Sequence, residues 1–412
     1  MYMTPAERHP SPFPAGPAAL SAGSLAMRSP FVRQRELLGA TAPGKPPISL
    51  AVGEPQHGVP SFVGPVLASC LDEFGKYPMN KGLDEFCAAA AAWLGRRFAL
   101  PRPVDPATEV LILNGSREGL FLAGIAAERW VAGRAGRPAV LMPNPFYGAY
   151  EAGAVAAHCE AVYLPATAAT GFLPDLDSLS DDLLARTVAF YLASPANPQG
   201  SVASPAYLKR LAELARRFGF LVFSDECYSE IYTQAPPPSM LEYAGRDFEN
   251  VVVFQSLSKR SNLPGLRVGF AAGDRKFLTR FLELRNVSSP QVPVPAQRVA
   301  IAAYADETHV EDSRRLYIQK FELADQIIGN RYGYRRPAGG FLLWLDVSAH
   351  GGDEAVTVRL WKEAGLRVIP GSYLAREQAD GSNPGAGYIR VAIVQDRDTT
   401  AEALHRLVAV LS

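Results

Sequence analysis

Lys259 stands in VVVFQSLSKRSNLPGLRVGF, residues 251 to 270, with Ser256 and Ser258 before it and Arg267 after it. An amine held at the end of a buried strand is partly desolvated, which lowers its pKa and leaves it free to condense with an aldehyde. The two serines and the arginine suit a phosphate, because hydroxyls and a planar guanidinium all donate to its oxygens. Taken alone, such a lysine is more often a solvated side chain at a strand terminus. Other apolar runs end in residues of matching use. FLVFSDECYSE places Asp225 just past a run, with Tyr228 three residues later. NGSRE brings Asn114, Gly115, Ser116 and Arg117 to a helix start, where free N–H groups and the helix dipole favour an anion. NPFYGAY offers Tyr147 as an aromatic face, and SPANPQG holds Asn197 between prolines, where a cis bond to Pro198 is compatible. Each of these is also readable as a cap, a packing ring or a plain turn.

From about residue 108 short apolar runs alternate with amphipathic ones, the pattern of a mostly parallel sheet covered by helices. EVLILNG, PAVLMPNP, TVAFYLASPANP, FLVFSDE, VVVFQSLSK and LRVGFAAG read as strands. In such a sheet ligands bind at the carboxyl ends of the strands, which is where the polar residues above fall. One helix is fully punctuated: Ser204 caps it, Pro205 opens it, Gly219 stops it, and Leu208, Leu211, Leu214, Ala215 and Phe218 form its core stripe. After residue 300, charged helices give way to the strands AGGFLLWLDV and GYIRVAIV, and we expect a smaller α+β domain of residues 31–59 and 305–412 beside a large α/β domain of residues 60–304. Residues 1–30, rich in Pro, Ala, Gly and Ser, are expected to form a flexible leader.

With 41 Lys plus Arg against 41 Asp plus Glu, no net field draws the chain to nucleic acid or anionic lipid. No apolar run reaches the length of a membrane helix. The 4 cysteines contain no CxxC pair and the 6 histidines no ligand spacing, so a reduced cytoplasmic protein without a structural metal is expected.

An aldehyde and a phosphate on one aromatic molecule describe pyridoxal 5'-phosphate. The ordered motifs GEP, NGSRE, NPFY, SPANP, SDECY, SLSKRSNLPGLR and YIRVAIV resemble the fold-type I pyridoxal-phosphate enzymes of the class I and II aminotransferases, over about residues 45 to 396. That resemblance implies a seven-stranded, mostly parallel sheet and a smaller α+β domain. It implies that Lys259 carries the cofactor, that Asp225 pairs with the ring nitrogen, and that Asn197 and Tyr228 serve the phenolic oxygen. Tyr147 would stack on the ring, and Gly115, Ser116, Arg117, Ser256, Ser258 and Arg267 would hold the phosphate. Arg390 would take a substrate α-carboxylate, with the backbone of Gly53 and the side chain of Asn197 alongside. A homodimer with interfacial sites is implied, in which Tyr77 reaches the neighbouring subunit's phosphate.

Longer strings, including NPFYGAYEAGA and PGSYLAREQADGSNPGAGYIRVA, are similar to the succinyldiaminopimelate transaminases of proteobacteria. Gln199 stands where that family usually has threonine, and RNVSSPQVPVPAQ departs from its pattern. Other readings are an aminotransferase for aspartate, aromatic or acetylornithine-like substrates, and a pyridoxal-phosphate C–S β-lyase. A nicotinamide dehydrogenase would need a GxGxxG after an early strand and would leave Lys259 unexplained. A regulator built on the same fold would need a DNA-binding module that the leader cannot supply.

Overall fold

A computed structural model describes residues 28–130, 134 and 136–412. The expected leader lies outside these residues up to position 27. A short strand, β1 (Ile48–Ser49), precedes the main sheet, whose strands are β2 (Val110–Leu113), β3 (Ala139–Asn144), β4 (Glu160–Pro165), β5 (Thr187–Ala193), β6 (Leu221–Asp225), β7 (Val251–Ser256) and β8 (Gly269–Gly273). Four more follow: β9 (Leu342–Asp346), β10 (Leu366–Arg367), β11 (Ile369–Pro370) and β12 (Tyr388–Ala392).

The seven-stranded sheet has the order β2-β8-β7-β6-β5-β3-β4. Only β8 opposes its neighbours, pairing antiparallel with both β2 and β7, so β2 runs the same way as the remaining five. β7 is buried along its whole length, which explains why its sequence is a continuous apolar run rather than an alternating one. Its side chains still sort by parity: Val251 and Val253 join the apolar cluster on one face of the sheet, Val252 and Phe254 that on the other. The sequence reading found six of the seven strands. The seventh, β4, is an edge strand with mostly half-buried side chains, so its sequence carries no unbroken apolar signal.

The helix Pro205–Phe218 follows the expected punctuation. Ser204 Oγ accepts from the Tyr207 N–H at 3.2 Å, and Gly219 takes the left-handed conformation at φ 69°. Burying Leu208, Leu211 and Leu214 against the sheet contributes about 2 kcal/mol each. Another apolar cluster joins Ile48 and Leu50 to residues between Tyr317 and Leu411, over the antiparallel sheet β11-β12-β9. β1 pairs with β10, and the Ala392 N–H donates to Leu50 O at 2.8 Å, so residues 48–50 are tied into the C-terminal part of the chain.

Ser204→Ala removes a capping acceptor without touching the core and is expected to lower unfolding stability by about 1 kcal/mol. Urea unfolding followed by circular dichroism measures it; an unchanged midpoint would show that the helix needs no cap.

Candidate active site

Because β8 alone is reversed, the carboxyl ends of β2, β3, β5, β6 and β7 share one edge with the start of β8. Asp225 is the last residue of β6 and Ser256 the last of β7, while Arg267 precedes Gly269, the first of β8, by two positions. Lys259 lies in the single helical turn Leu257–Arg260 after β7, capped by Ser256. Its Nζ donates to the Gly53 carbonyl and sits 5.3 Å from the centre of the Phe341 ring and 6.0 Å from that of Tyr228. No carboxylate pairs with it among the described residues. Burial lowers its pKa from 10.5 to about 8; the charges of Arg390 and Arg267 push the same way, and Cys227 and Glu54 oppose them. The neutral form of this amine is therefore far more populated near neutral pH than that of an ordinary lysine.

Asp225 is a carboxylate in the same enclosure. The Tyr150 hydroxyl donates to its Oδ2 at 2.7 Å and the Cys227 N–H to its Oδ1 at 3.2 Å. Burial raises its pKa, and the two donors together with the Lys259 charge pull it back. Tyr150 stacks on Tyr191 with ring centres 4.4 Å apart, which fixes the hydroxyl in place. Cys227, between Asp225 and Ser116, is pushed well above the ordinary thiol pKa, chiefly by burial, and is a neutral thiol at neutral pH.

Across the cleft, Arg390 projects from β12 and is 5% exposed. Its Nη2 donates to Ala51 O at 2.7 Å and its Nη1 to Asn197 Oδ1 at 3.2 Å, while Nε has no partner. Burial lowers its pKa, the penalty expected for a cation held only by neutral acceptors. Such a guanidinium keeps donor capacity for a carboxylate. Asn197 reaches it from a loop in which Ser194–Pro195 and Asn197–Pro198 are both cis. Gly53 completes this side; a Cβ there would lie 3.3 Å from Phe341 and 3.8 Å from the Tyr228 hydroxyl.

Donors cluster at the other end. Gly115 is left-handed at φ +79°, and a Cβ on it would come within 2.2 Å of Arg267 Nη2, so only glycine lets the guanidinium lie against the backbone that opens the helix Ser116–Trp130. Arg267 itself is left-handed at φ 57°, a strained setting for a side-chain-bearing residue, and its Nη1 donates to Pro264 O at 2.9 Å. Ser256 Oγ and Ser258 Oγ are 3.0 Å apart. Between the two ends lies Tyr147, whose hydroxyl accepts from Arg117 Nε at 2.7 Å, so Arg117 is engaged with the tyrosine.

Tyr77 is placed apart from this cleft. It is 95% exposed and borders a cavity of about 410 Å3 together with Glu73, Phe74, Pro290, Gln291 and Pro293. Arg285 is buried on Glu118 and Ile112 O, and Arg298 pairs with Glu73 and Glu85, so both are already committed to partners. Sequence reasoning did not single out Tyr150 or Phe341. Tyr150 carried one local signal, its place three positions after Tyr147 in NPFYGAY.

The donor set fits an anionic aromatic aldehyde: a cradle of backbone, hydroxyl and guanidinium for a phosphate, a largely desolvated amine, and a buried carboxylate for a ring cation. Fold and site together define a pyridoxal-phosphate enzyme of fold type I. A sequence profile for the family described as "Aminotransferase class I and II" matches residues 45–407, and the chain belongs to that family. It is 31% identical to the LL-diaminopimelate aminotransferase of Desulforudis audaxviator, over 92% of this chain and 94% of that one. Among solved structures it is similar to an aminotransferase from Neisseria meningitidis, with a TM-score of 0.87 and 38% identity over 93% of this chain and 98% of that one. A probable N-succinyldiaminopimelate aminotransferase from Thermus thermophilus superposes with a TM-score of 0.81 at 25% identity, covering 93% of this chain and 100% of that one. The protein is a pyridoxal-phosphate-dependent transaminase.

Two outcomes follow from the electrostatics. In cofactor-free protein, labelling of Lys259 by a neutral amine-directed reagent should rise with pH through a midpoint near 8, against 10.5 for an ordinary lysine, with peptide mapping separating it from Lys320, which is also lowered to about 8. A midpoint above 10 would mean that the amine is solvated. Tyr150→Phe deletes one donor and little volume, so the Asp225 pKa should climb further above its ordinary value. A carbon-13 titration of labelled aspartate reads this, and an unmoved midpoint would show that the hydroxyl does not hold the charge.

Proposed function

We propose that the protein exchanges an amino group between glutamate and 2-oxoglutarate on one side and a diaminopimelate-type amino acid and its keto form on the other. N-succinyl-LL-2,6-diaminopimelate is the first candidate, which would place the enzyme in lysine and diaminopimelate synthesis. The observation that carries the reading is the pairing of Arg390, a buried guanidinium with a free Nε, with the depressed Lys259 amine in one cleft. An α-carboxylate on Arg390 brings its amino group and α-hydrogen toward Lys259. The name of the Thermus relative supports the succinylated substrate, and that of the Desulforudis relative favours the free diamino acid as a second reading.

Bound pyridoxal phosphate supplies an electron-poor ring that takes up the charge left by a departing α-proton. Gly115, Ser116, Ser256, Ser258 and Arg267 would hold its phosphate, with Arg117 acting through Tyr147. Asp225, kept in place by Tyr150, would serve the ring nitrogen, Asn197 and Tyr228 the phenolic oxygen, and Tyr147 the ring face. Arg390 orients the substrate by a forked contact with its carboxylate, beside Asn197 and the backbone of Gly53. Lys259, as a neutral amine beside that carboxylate site, would take up the substrate's α-proton and hold it for return. The rings of Phe341 and Tyr228 exclude water from that amine.

The exposed residues Leu71, Phe74, Tyr77 and Met79, close together in sequence, support a homodimer in which Tyr77 serves the neighbouring site, since large apolar side chains left exposed favour burial against a partner.

Arginine at 390 offers a planar fork that lysine lacks, so Arg390→Lys is expected to lower kcat/KM by about 10- to 100-fold, the value of hydrogen bonds to a charged group. Steady-state kinetics at saturating cofactor decide it, and an unaffected variant would place the carboxylate elsewhere. A panel with glutamate as donor, comparing N-succinyl-2-amino-6-ketopimelate, the keto form of LL-diaminopimelate, oxaloacetate and phenylpyruvate, should rank the first highest. A clear preference for oxaloacetate would overturn the substrate assignment, and a separate incubation with cystathionine that yields pyruvate, ammonia and homocysteine, with no amino transfer in the panel, would point to a lyase.

A further inference from the structure

Directly after Asp225 the chain buries a second carboxylate. Glu226 is 1% exposed, and its side chain has no cationic partner among the described residues. Instead it accepts from four neutral donors: Ser224 Oγ at 2.9 Å, Ser239 Oγ at 3.1 Å and the Met240 N–H at 2.8 Å on Oε1, and Gln255 Nε2 at 3.1 Å on Oε2. Gln255 Oε1 in turn accepts from Ser229 Oγ at 3.3 Å. Burial pushes the Glu226 pKa up to about 7, while Met240, Ser239 and Ser224 pull it back, the pattern of a carboxyl whose surroundings all point donors at it.

The position of this network follows from strand alternation. Asp225 and Ser256 point to one face of the sheet, that of Phe223 and Phe254; Ser224, Glu226 and Gln255 point to the other, that of Val222 and Val253. Four side chains of the network adjoin cleft residues in sequence, while Ser239 and Met240 reach it from a separate turn. Ser224 and Glu226 flank Asp225, Ser229 follows Tyr228, and Gln255 precedes Ser256 and the Lys259 turn. The Glu226 N–H also donates to Phe254 O at 3.0 Å, so β6 and β7 are joined at their ends by a backbone and a side-chain bond.

We propose that Glu226, through Gln255, is a positioning residue that clamps the ends of β6 and β7 and so fixes Asp225 and Tyr228 relative to Ser256 and Lys259. The proposal rests on the reading of Asp225 and Lys259 as contacts of pyridoxal phosphate. A strand-end clamp of hydrogen bonds is directional, and it holds the two charged groups at a set separation where an apolar filler would let the strands slide.

The test uses full-length protein as E226Q, Q255E and the exchanged pair E226Q/Q255E. In E226Q the bond re-forms only if the Gln255 amide turns over and ceases to accept from Ser229, and in Q255E two carboxylates face each other; in the exchanged pair the carboxylate and the amide have swapped places and both bonds are available again. Three readouts are taken: pyridoxal-phosphate affinity of the cofactor-free protein, the pH midpoint of the visible absorbance of the holoenzyme, and thermal unfolding. The single variants are expected to bind the cofactor about ten-fold more weakly and to show a displaced midpoint. The exchanged pair is expected to recover most of both. Single variants that lose thermal stability but keep wild-type affinity and midpoint would overturn the proposal, as would an exchanged pair no better than either single variant. Should E226Q not fold, Ser224→Ala, which deletes one donor and little volume, should shift affinity and midpoint in the same direction to a smaller extent, and no shift would again overturn it. Wild-type protein that acquires no visible band with the cofactor would instead sink the reading on which the proposal rests.

Discussion

The site depends on keeping an amine out of water without giving it a counter-ion. A buried lysine normally recovers its desolvation penalty from a carboxylate. Among the described residues Lys259 has the Gly53 carbonyl and two aromatic rings and no paired carboxylate, and its pKa falls to about 8. The fall from 10.5 means that the folded chain holds this proton less tightly than the unfolded one, at a cost of roughly 3 kcal/mol. That cost is full below about pH 8 and fades as pH rises toward 10.5, since only in that window does the unfolded chain bind the extra proton. The rest of the fold must supply the missing stability, and the strands β5 to β8, buried except at the last residues of β5 and β6, and their two apolar faces are where it comes from.

Sheet topology turns this constraint into a site. A sheet with every strand parallel would present only carboxyl ends at one edge, each followed by its own crossover. Reversing β8 alone places the incoming segment 264–268 at the same edge as the outgoing ends of β6 and β7. Arg267 can then meet Gly115 beyond β2, on the far side of β8, although 152 positions separate them (267 minus 115). The left-handed backbones of Gly115 and Arg267 are the local consequence, because both turn sharply to bring a guanidinium against a helix start.

Much of this was legible in the chain because chemistry sits next to strong local signals. Lys259, Asp225 and Asn197 follow apolar runs, and the Ser204 cap and Gly219 stop follow from backbone chemistry that ignores tertiary context. What stayed hidden depends on how elements pack. The hydrogen bond from Tyr150 to Asp225 spans 75 positions and exists only because the helix Gly148–Ala156 lies across the sheet edge. The buried setting of Arg285 arises in the same way, from a partner 167 positions away. β4 was missed because an edge strand with one wet side has no continuous run, and Glu226 because a carboxylate beside Asp225 looks like one more helix-start acid until its four donors are seen.

The segment Leu50–Gly53 connects the two halves of the cleft more directly than any side chain. Its Leu50 backbone pairs with Arg367 and Ala392, its Ala51 carbonyl accepts from Arg390, and two residues later its Gly53 carbonyl accepts from Lys259. One short stretch of chain thus supplies neutral acceptors to both cations of the site. On the proposed reading, a cofactor on Lys259 would compete with the Gly53 carbonyl, while a carboxylate on Arg390 would share that guanidinium with the Ala51 carbonyl, so filling either position would act on the same few residues. A carbonyl suits this task where a carboxylate does not: it satisfies each cation enough to keep it buried, and it is weak enough to be displaced by a charged ligand.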